Sequence, residues 1–188
     1  MSAYIRLLEA IHAVKHLPRK GWIERGLLAG RVESVGSHSF GTALLALLIK
    51  EAGMLPAGMP AERLLAVALL HDIVEGVTGD MTPADNVPAA LKAKMELGAL
   101  QQLLGAVPGM AGLQRELEAF VSAGDAAEKD PVHDIVRQID KLDMMIQALQ
   151  YEKASGKNMG EFYEEPAKYL SDPKLLGFFD DARKAILG

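Results

Sequence analysis

His71 and Asp72 stand side by side at the end of the apolar run 64–70, and Glu75 follows three residues later. Neutral imidazole nitrogen and carboxylate oxygen suit a divalent cation such as Mn, Fe, Co, Ni or Zn. A His-Asp pair in such a setting can hold one ion, and a held ion can polarise a phosphoryl or carbonyl oxygen and acidify a water. The chemistry on offer is metal-dependent hydrolysis. Glu75, four residues after His71 and three after Asp72, falls on the same side of a helix one turn on. It is the first candidate for acid–base work or for positioning water. Asp80, in the glycine-bearing loop that follows, is the second.

Two further residues extend the pair. His38 opens the apolar segment 37–51, and Asp140 interrupts the helical period of Ile135, Val136, Ile139, Leu142, Ile146 and Leu149. A buried histidine or carboxylate is costly unless it is hydrogen-bonded, paired or bound to metal. His38, His71, Asp72 and Asp140 thus make a candidate ligand set drawn from three helices, a common construction inside helical bundles. Each has a plainer reading when taken singly. His38 is then a helix-start residue or a satisfied buried imidazole, and Asp140 a surface carboxylate beside Lys141. His12, His16 and His133 have no partner nearby in sequence and read as structural or exposed.

The elements that must position these residues are helical almost throughout. Ile5, Leu8, Ile11 and Val14 recur at spacings of three, which predicts a helix over 4–17 ended by Pro18 and Gly21. Segments 37–51 and 61–75 are apolar nearly all round, the pattern of buried central helices. Gly76, Gly79 and Pro83 mark a loop after the second, with Thr82 placed to cap a turn that has Pro83 at its first position. Further helices are predicted over 88–104, 110–123 and 132–153, with short ones near 162–170 and 173–187. No alternating apolar pattern of useful length and no internal repeat occurs. The expected fold is all-α, one compact domain over residues 1–188.

Composition bounds the function. The chain has 188 residues, 49% hydrophobic and 24% charged, as in globular domains with a real core. A net charge of −5 gives no support for binding polymeric nucleic acid, which needs basic surface. The absence of cysteine excludes disulfides and thiolate-bound zinc. Residues 1–9 lack the basic and apolar regions of a signal peptide. The longest apolar runs fall far short of the ~20 residues that span a bilayer. A cytoplasmic protein without membrane association is expected.

Several longer stretches carry a resemblance. They are Leu17-Pro18-Arg19-Lys20-Gly21-Trp22-Ile23-Glu24-Arg25, Glu33-Ser34-Val35-Gly36-Ser37-His38-Ser39, and Ala68-Leu69-Leu70-His71-Asp72-Ile73-Val74-Glu75. To these add Gly79-Asp80-Met81-Thr82-Pro83-Ala84-Asp85, Gln138-Ile139-Asp140-Lys141-Leu142-Asp143 and Gln147-Ala148-Leu149-Gln150-Tyr151-Glu152. In order and spacing, over about residues 4–170, the chain resembles the HD-domain phosphohydrolases, and within them the small 5′-deoxynucleotidases and their eukaryotic relatives.

The resemblance implies an HD-domain helical bundle that holds one divalent cation, cobalt, manganese or another transition metal, on His38, His71, Asp72 and Asp140. It places Glu75 and Asp80 at the reacting centre. It implies hydrolysis of (deoxy)nucleoside 5′-monophosphates to nucleoside and phosphate, and a homodimer. Arg19 and Trp22 become the substrate-side candidates, since a guanidinium grips phosphate in a bidentate way. Arg25 and Arg31 are alternatives for that grip, and Trp22 reads equally well as a core anchor. Two departures touch the support of the site. Ser37 stands where the family has an acidic residue before the first histidine, removing a carboxylate that would orient His38. The acidic-aromatic stretch before the late Asp is reduced to Leu117-Glu118-Ala119-Phe120. Two other readings stay open: a phosphohydrolase of another nucleotide or small phosphomonoester, and a non-catalytic metal- or nucleotide-binding module.

Overall fold

The computed structural model describes residues 3–124 and 130–188. Met1 and Ser2, within the segment read for a signal peptide, lie outside the described residues, as do 125–129 of the expected single domain. Ten α-helices follow in order: α1 Ala3–His16, α2 Lys20–Glu24, α3 Val35–Glu51, α4 Ala61–Leu70, α5 Glu75–Thr78, α6 Ala89–Leu104, α7 Ala111–Ala123, α8 Pro131–Ser155, α9 Glu161–Glu164 and α10 Pro173–Leu187. Among the described residues there is no strand, only an isolated antiparallel bridge between Pro18 and Ser34. The all-α expectation holds.

The chain divides into two compact units, one within Met1–Phe40 and Leu69–Lys129, the other Gly41–Ala68 with Asp130–Gly188. In the first, α1 packs against α5 and α6, and α6 against α7. Ala10, Val14, Val35, Ile73, Val74, Leu100, Leu103 and Leu117 close its core. Gly76 is required there, because a Cβ on it would stand 2.7 Å from the Ala10 carbonyl oxygen. In the second, the long α8 packs on α9 and α10. Leu142, Met145 and Leu149 of α8 and Leu175 of α10 are fully enclosed. Asp130 caps α8 through the amides of Val132 and His133, and Pro131 occupies the first turn, where its missing N–H costs nothing.

Three expectations are corrected. The predicted helix 61–75 is broken: α4 ends at Leu70, residues 71–74 form a tight turn, and α5 begins at Glu75. Ile73, Glu75, Gly76 and Val77 each donate to the carbonyl three residues back, so the chain tightens where the helical period suggested continuity. The predicted burial of segment 37–51 holds for one side only, since Phe40, Leu44 and Leu48 are 62%, 44% and 56% exposed. The predicted helix 162–170 is two pieces, α9 and a 3-10 turn over Pro166–Tyr169, because Pro166 cannot donate to the α ladder. Two elements were not anticipated, the short α2 and a 3-10 turn over Ala29–Arg31. The short α2 forms directly after Pro18, where a simple break was expected. Thr82 caps the 3-10 turn Pro83–Asp85 as its spacing predicted.

Candidate active site

The site is assembled in the first unit. Ser34 accepts a hydrogen bond from the Ser37 amide at 3.1 Å and so starts α3 two residues earlier than expected. His38 then lies in the first turns of α3, fully buried. His71 and Asp72 lie in the turn between α4 and α5. His71 Nε2 is 3.3 Å from Asp72 Oδ2, and His38 Nε2 is 3.9 Å from the same oxygen. The two imidazoles meet edge to face, with ring centroids 5.5 Å apart. One ligand atom from each of the three residues lies within 4.8 Å of the others. Bonds of ~2.1 Å to one cation place neighbouring ligand atoms roughly 3–4 Å apart. The three side chains therefore fit a single divalent ion in both spacing and donor type.

The electrostatics follow from enclosure. Burial pushes the Asp72 carboxyl up, but His71, His38 and Arg19 outweigh it and hold Asp72 below the usual carboxylate range. Glu75 goes the other way. Burial first, then the charges of Asp72 and Asp80, push its carboxyl up to about 9. Its Oε2 is enclosed and accepts no hydrogen bond. An enclosed carboxyl oxygen without a donor is costly, and one that faces a cation site can serve water or substrate there. This is a second feature that fits a bound metal.

The substrate-side candidates divide. Arg19 precedes α2, and its Nη1 is 3.5 Å from Asp72 Oδ2, which brings the guanidinium to the ligand triad. Arg25 and Arg31 are exposed. Trp22 is only 1% exposed, and its indole N–H donates to Glu33 Oε1 at 2.9 Å. Asp80 Oδ2 accepts the Lys20 amide at 2.6 Å, which ties the loop after α5 to the start of α2. Lys20 Nζ reaches Asp85 in the same loop, and Thr82 donates to Glu24 at 3.1 Å. Gly79, with φ of +78°, turns the chain into this loop.

Asp140 stands on α8 in the second unit, half-buried. His133 is buried with its Nε2 3.4 Å from an Arg63 nitrogen, while His12 and His16 are exposed and lie against each other. Their structural or surface reading agrees with these positions. Three further residues were not singled out from sequence. Glu33 approaches His38, with one carboxylate oxygen within 4.8 Å of a ring nitrogen. Phe120 of α7 covers His71 edge to face at 6.4 Å. Lys20 anchors the Asp80 loop. Glu33 and Lys20 lie in the motif stretches and Phe120 in the reduced stretch 117–120, but their roles depend on contacts between distant segments.

A family model described as an HD domain matches residues 11–175. The chain belongs to the HD-domain family. The match takes in residues of both compact units and all four sequence-derived ligand candidates. The 5′-deoxynucleotidase HDDC2 of Bos taurus is 32% identical over 178 residues, covering 92% of this chain and 80% of the relative. That of Danio rerio is 30% identical, covering 94% and 84%. Among solved structures, a conserved hypothetical protein from Pyrococcus furiosus has a TM-score of 0.76 at 27% identity, covering 96% of this chain and 99% of that one. A predicted metal-dependent phosphohydrolase from Magnetospirillum magnetotacticum has a TM-score of 0.70 at 20% identity and supports the fold. It covers 98% of this chain and 91% of its own.

Proposed function

We propose that this HD domain is a metal-dependent 5′-nucleotidase that hydrolyses (deoxy)nucleoside 5′-monophosphates to nucleoside and phosphate. The observation that carries the reading is the buried convergence of His38, His71 and Asp72 beside the enclosed Glu75 carboxyl. The 5′-deoxynucleotidases at about 30% identity supply the substrate class. Asp140, at the position of the late Asp in the resemblance, is proposed as the fourth ligand. The ion, when bound, supplies positive charge against the phosphoryl oxygens and the attacking water. Cobalt or manganese suits the His and Asp donors.

The side chains do the rest. Arg19 grips the phosphate through its guanidinium, close to the triad through its pairing with Asp72. Glu75 handles the proton. Water adds to phosphorus, the P–O5′ bond breaks, and the nucleoside oxygen takes up a proton. The enclosed Glu75 Oε2, which has no hydrogen-bond donor, can hold that proton. Asp80 orients the substrate from the loop that Lys20 fastens. Trp22, buried against Glu33, acts through that contact. The exposed stripe Phe40, Leu44 and Leu48 on α3 suits an isologous contact, and a homodimer is proposed on that face.

The test is phosphate release from a panel of ribo- and deoxyribonucleoside monophosphates, each with Mg, Mn, Co, Ni and Zn. Turnover of the 5′-monophosphates with a transition metal is expected. Binding of a nucleotide with no phosphate released from any of them would establish a non-catalytic module instead.

A further inference from the structure

We propose that Glu33 is a positioning residue that joins His38 on the metal side to segment 19–22 on the substrate side. The inference rests on the metal reading above. His38 is fully buried and turns Nε2 toward Asp72. A ligating imidazole uses one nitrogen for the metal and gives its other N–H to a carboxylate, carbonyl or water, which fixes ring and tautomer. The residue before His38 is Ser37, which offers no carboxylate. Glu33 brings one from four residues further back, within 4.8 Å of a His38 ring nitrogen.

The same carboxylate has a second duty. Its Oε1 accepts the Trp22 indole N–H at 2.9 Å, and the Glu33 backbone carbonyl accepts the Arg19 amide at 3.0 Å. The Pro18–Ser34 bridge and the hydrogen bond from the Val35 amide to the Leu17 carbonyl, 2.8 Å, hold the two segments in register. A single residue thus touches the phosphate-gripping segment through backbone and side chain, and faces the buried histidine of the triad. Removing its charge alters His38. Removing the whole side chain alters His38 and frees Trp22.

The experiment compares full-length wild type, Glu33→Gln and Glu33→Ala by cobalt titration calorimetry, intrinsic fluorescence and steady-state kinetics. Trp22 is the only tryptophan, so emission reports this contact alone. Glu33→Gln keeps a carbonyl oxygen for the indole and loses the charge. Its emission is expected to match wild type while cobalt affinity falls about 10- to 100-fold, the usual effect of losing a group behind a ligand. Its kcat recovers at saturating cobalt. Glu33→Ala is expected to lose cobalt affinity as well, to shift the Trp22 emission and to raise KM. Wild-type cobalt affinity in Glu33→Gln overturns the proposal, because a purely structural glutamate would tolerate the amide. Should Glu33→Ala fail to fold, Glu33→Gln still decides. Wild type that takes up no cobalt defeats the metal reading itself, a result distinct from failure of the Glu33 role.

Discussion

The chemistry at residue scale comes from two carboxylates driven in opposite directions within a few residues. In the metal-free protein Asp72 is kept ionised by His71, His38 and Arg19, and an ionised carboxylate is what the proposed metal site requires. Replacing Asp72 with Ala should abolish bound cobalt, measured by elemental analysis, and activity, while far-UV circular dichroism stays helical; full metal content in that variant would remove Asp72 from the ligand set. Glu75 makes a prediction that needs no substrate. Its carboxyl sits near 9 in the fold against an ordinary value of 4.5. Below 4.5 both folded and unfolded chains carry the proton and the shift has no effect. As pH rises toward 9 the unfolded chain ionises while the folded one keeps its proton, so stability is progressively lost. Metal-free Glu75→Gln should therefore be more stable than metal-free wild type at pH 7.5, by about 1–3 kcal/mol, and equal to it near pH 4. Urea denaturation in EDTA at both pH values measures this, and no gap at pH 7.5 would mean that the carboxyl ionises freely in the fold. With metal loaded, Glu75→Ala should slow turnover by ~100-fold or more. His71, Asp72 and Glu75 were legible because their chemistry is written in neighbouring letters. Glu33 and Phe120 were not, because each matters only through a contact that folding creates.

At the scale of elements, hydrophobic period located the helices well, as with 132–153 for the observed α8 Pro131–Ser155. The break after Leu70 escaped it. No Gly or Pro marks it, and apolar Ile73 and Val74 continue the pattern while their backbone tightens to three-residue hydrogen bonds. That break has a consequence for the site, since it sets His71 and Asp72 in a turn and gives Glu75 the first position of α5. What holds α5 in place is the close approach at Gly76. Gly76→Ala drives a Cβ into the Ala10 backbone and should cost about 1–3 kcal/mol, the typical penalty of overpacking. Gly98→Ala, on the exposed side of α6 with nothing within 4 Å of the new Cβ, should instead stabilise by roughly 0.5–1 kcal/mol. Thermal melts of the two variants check a difference in sign that glycine content alone would not foretell.

For the whole molecule, metal and association are the two couplings to test. No helix of the described residues is long and apolar enough to cross a membrane, and the exposed apolar side of α3 is the face proposed for a homodimer. Its residues Phe40, Leu44 and Leu48 are spaced at four, which makes one stripe along the helix. The sequence displayed that stripe but not its exposure: a helix apolar nearly all round reads as buried whether its cover comes from the same chain or from another. A homodimer through α3 predicts that Leu48→Lys elutes as a monomer in size-exclusion chromatography with light scattering, with its helix content unchanged. An unchanged mass would exclude that face. Metal acts on the fold through linkage. A ligand that binds only the native state stabilises it by about 2.7 kcal/mol at a free concentration one hundred times its Kd. For a chain of this size each kcal/mol moves the midpoint by about 2–4 °C. Cobalt at that excess should thus raise the melting temperature of wild type by roughly 5–10 °C, and EDTA should reverse the gain. Asp72→Ala should show no rise, and Glu75→Ala, which keeps the ligands, should show it in full. A rise that survives in Asp72→Ala would place the stabilising ion elsewhere on the molecule.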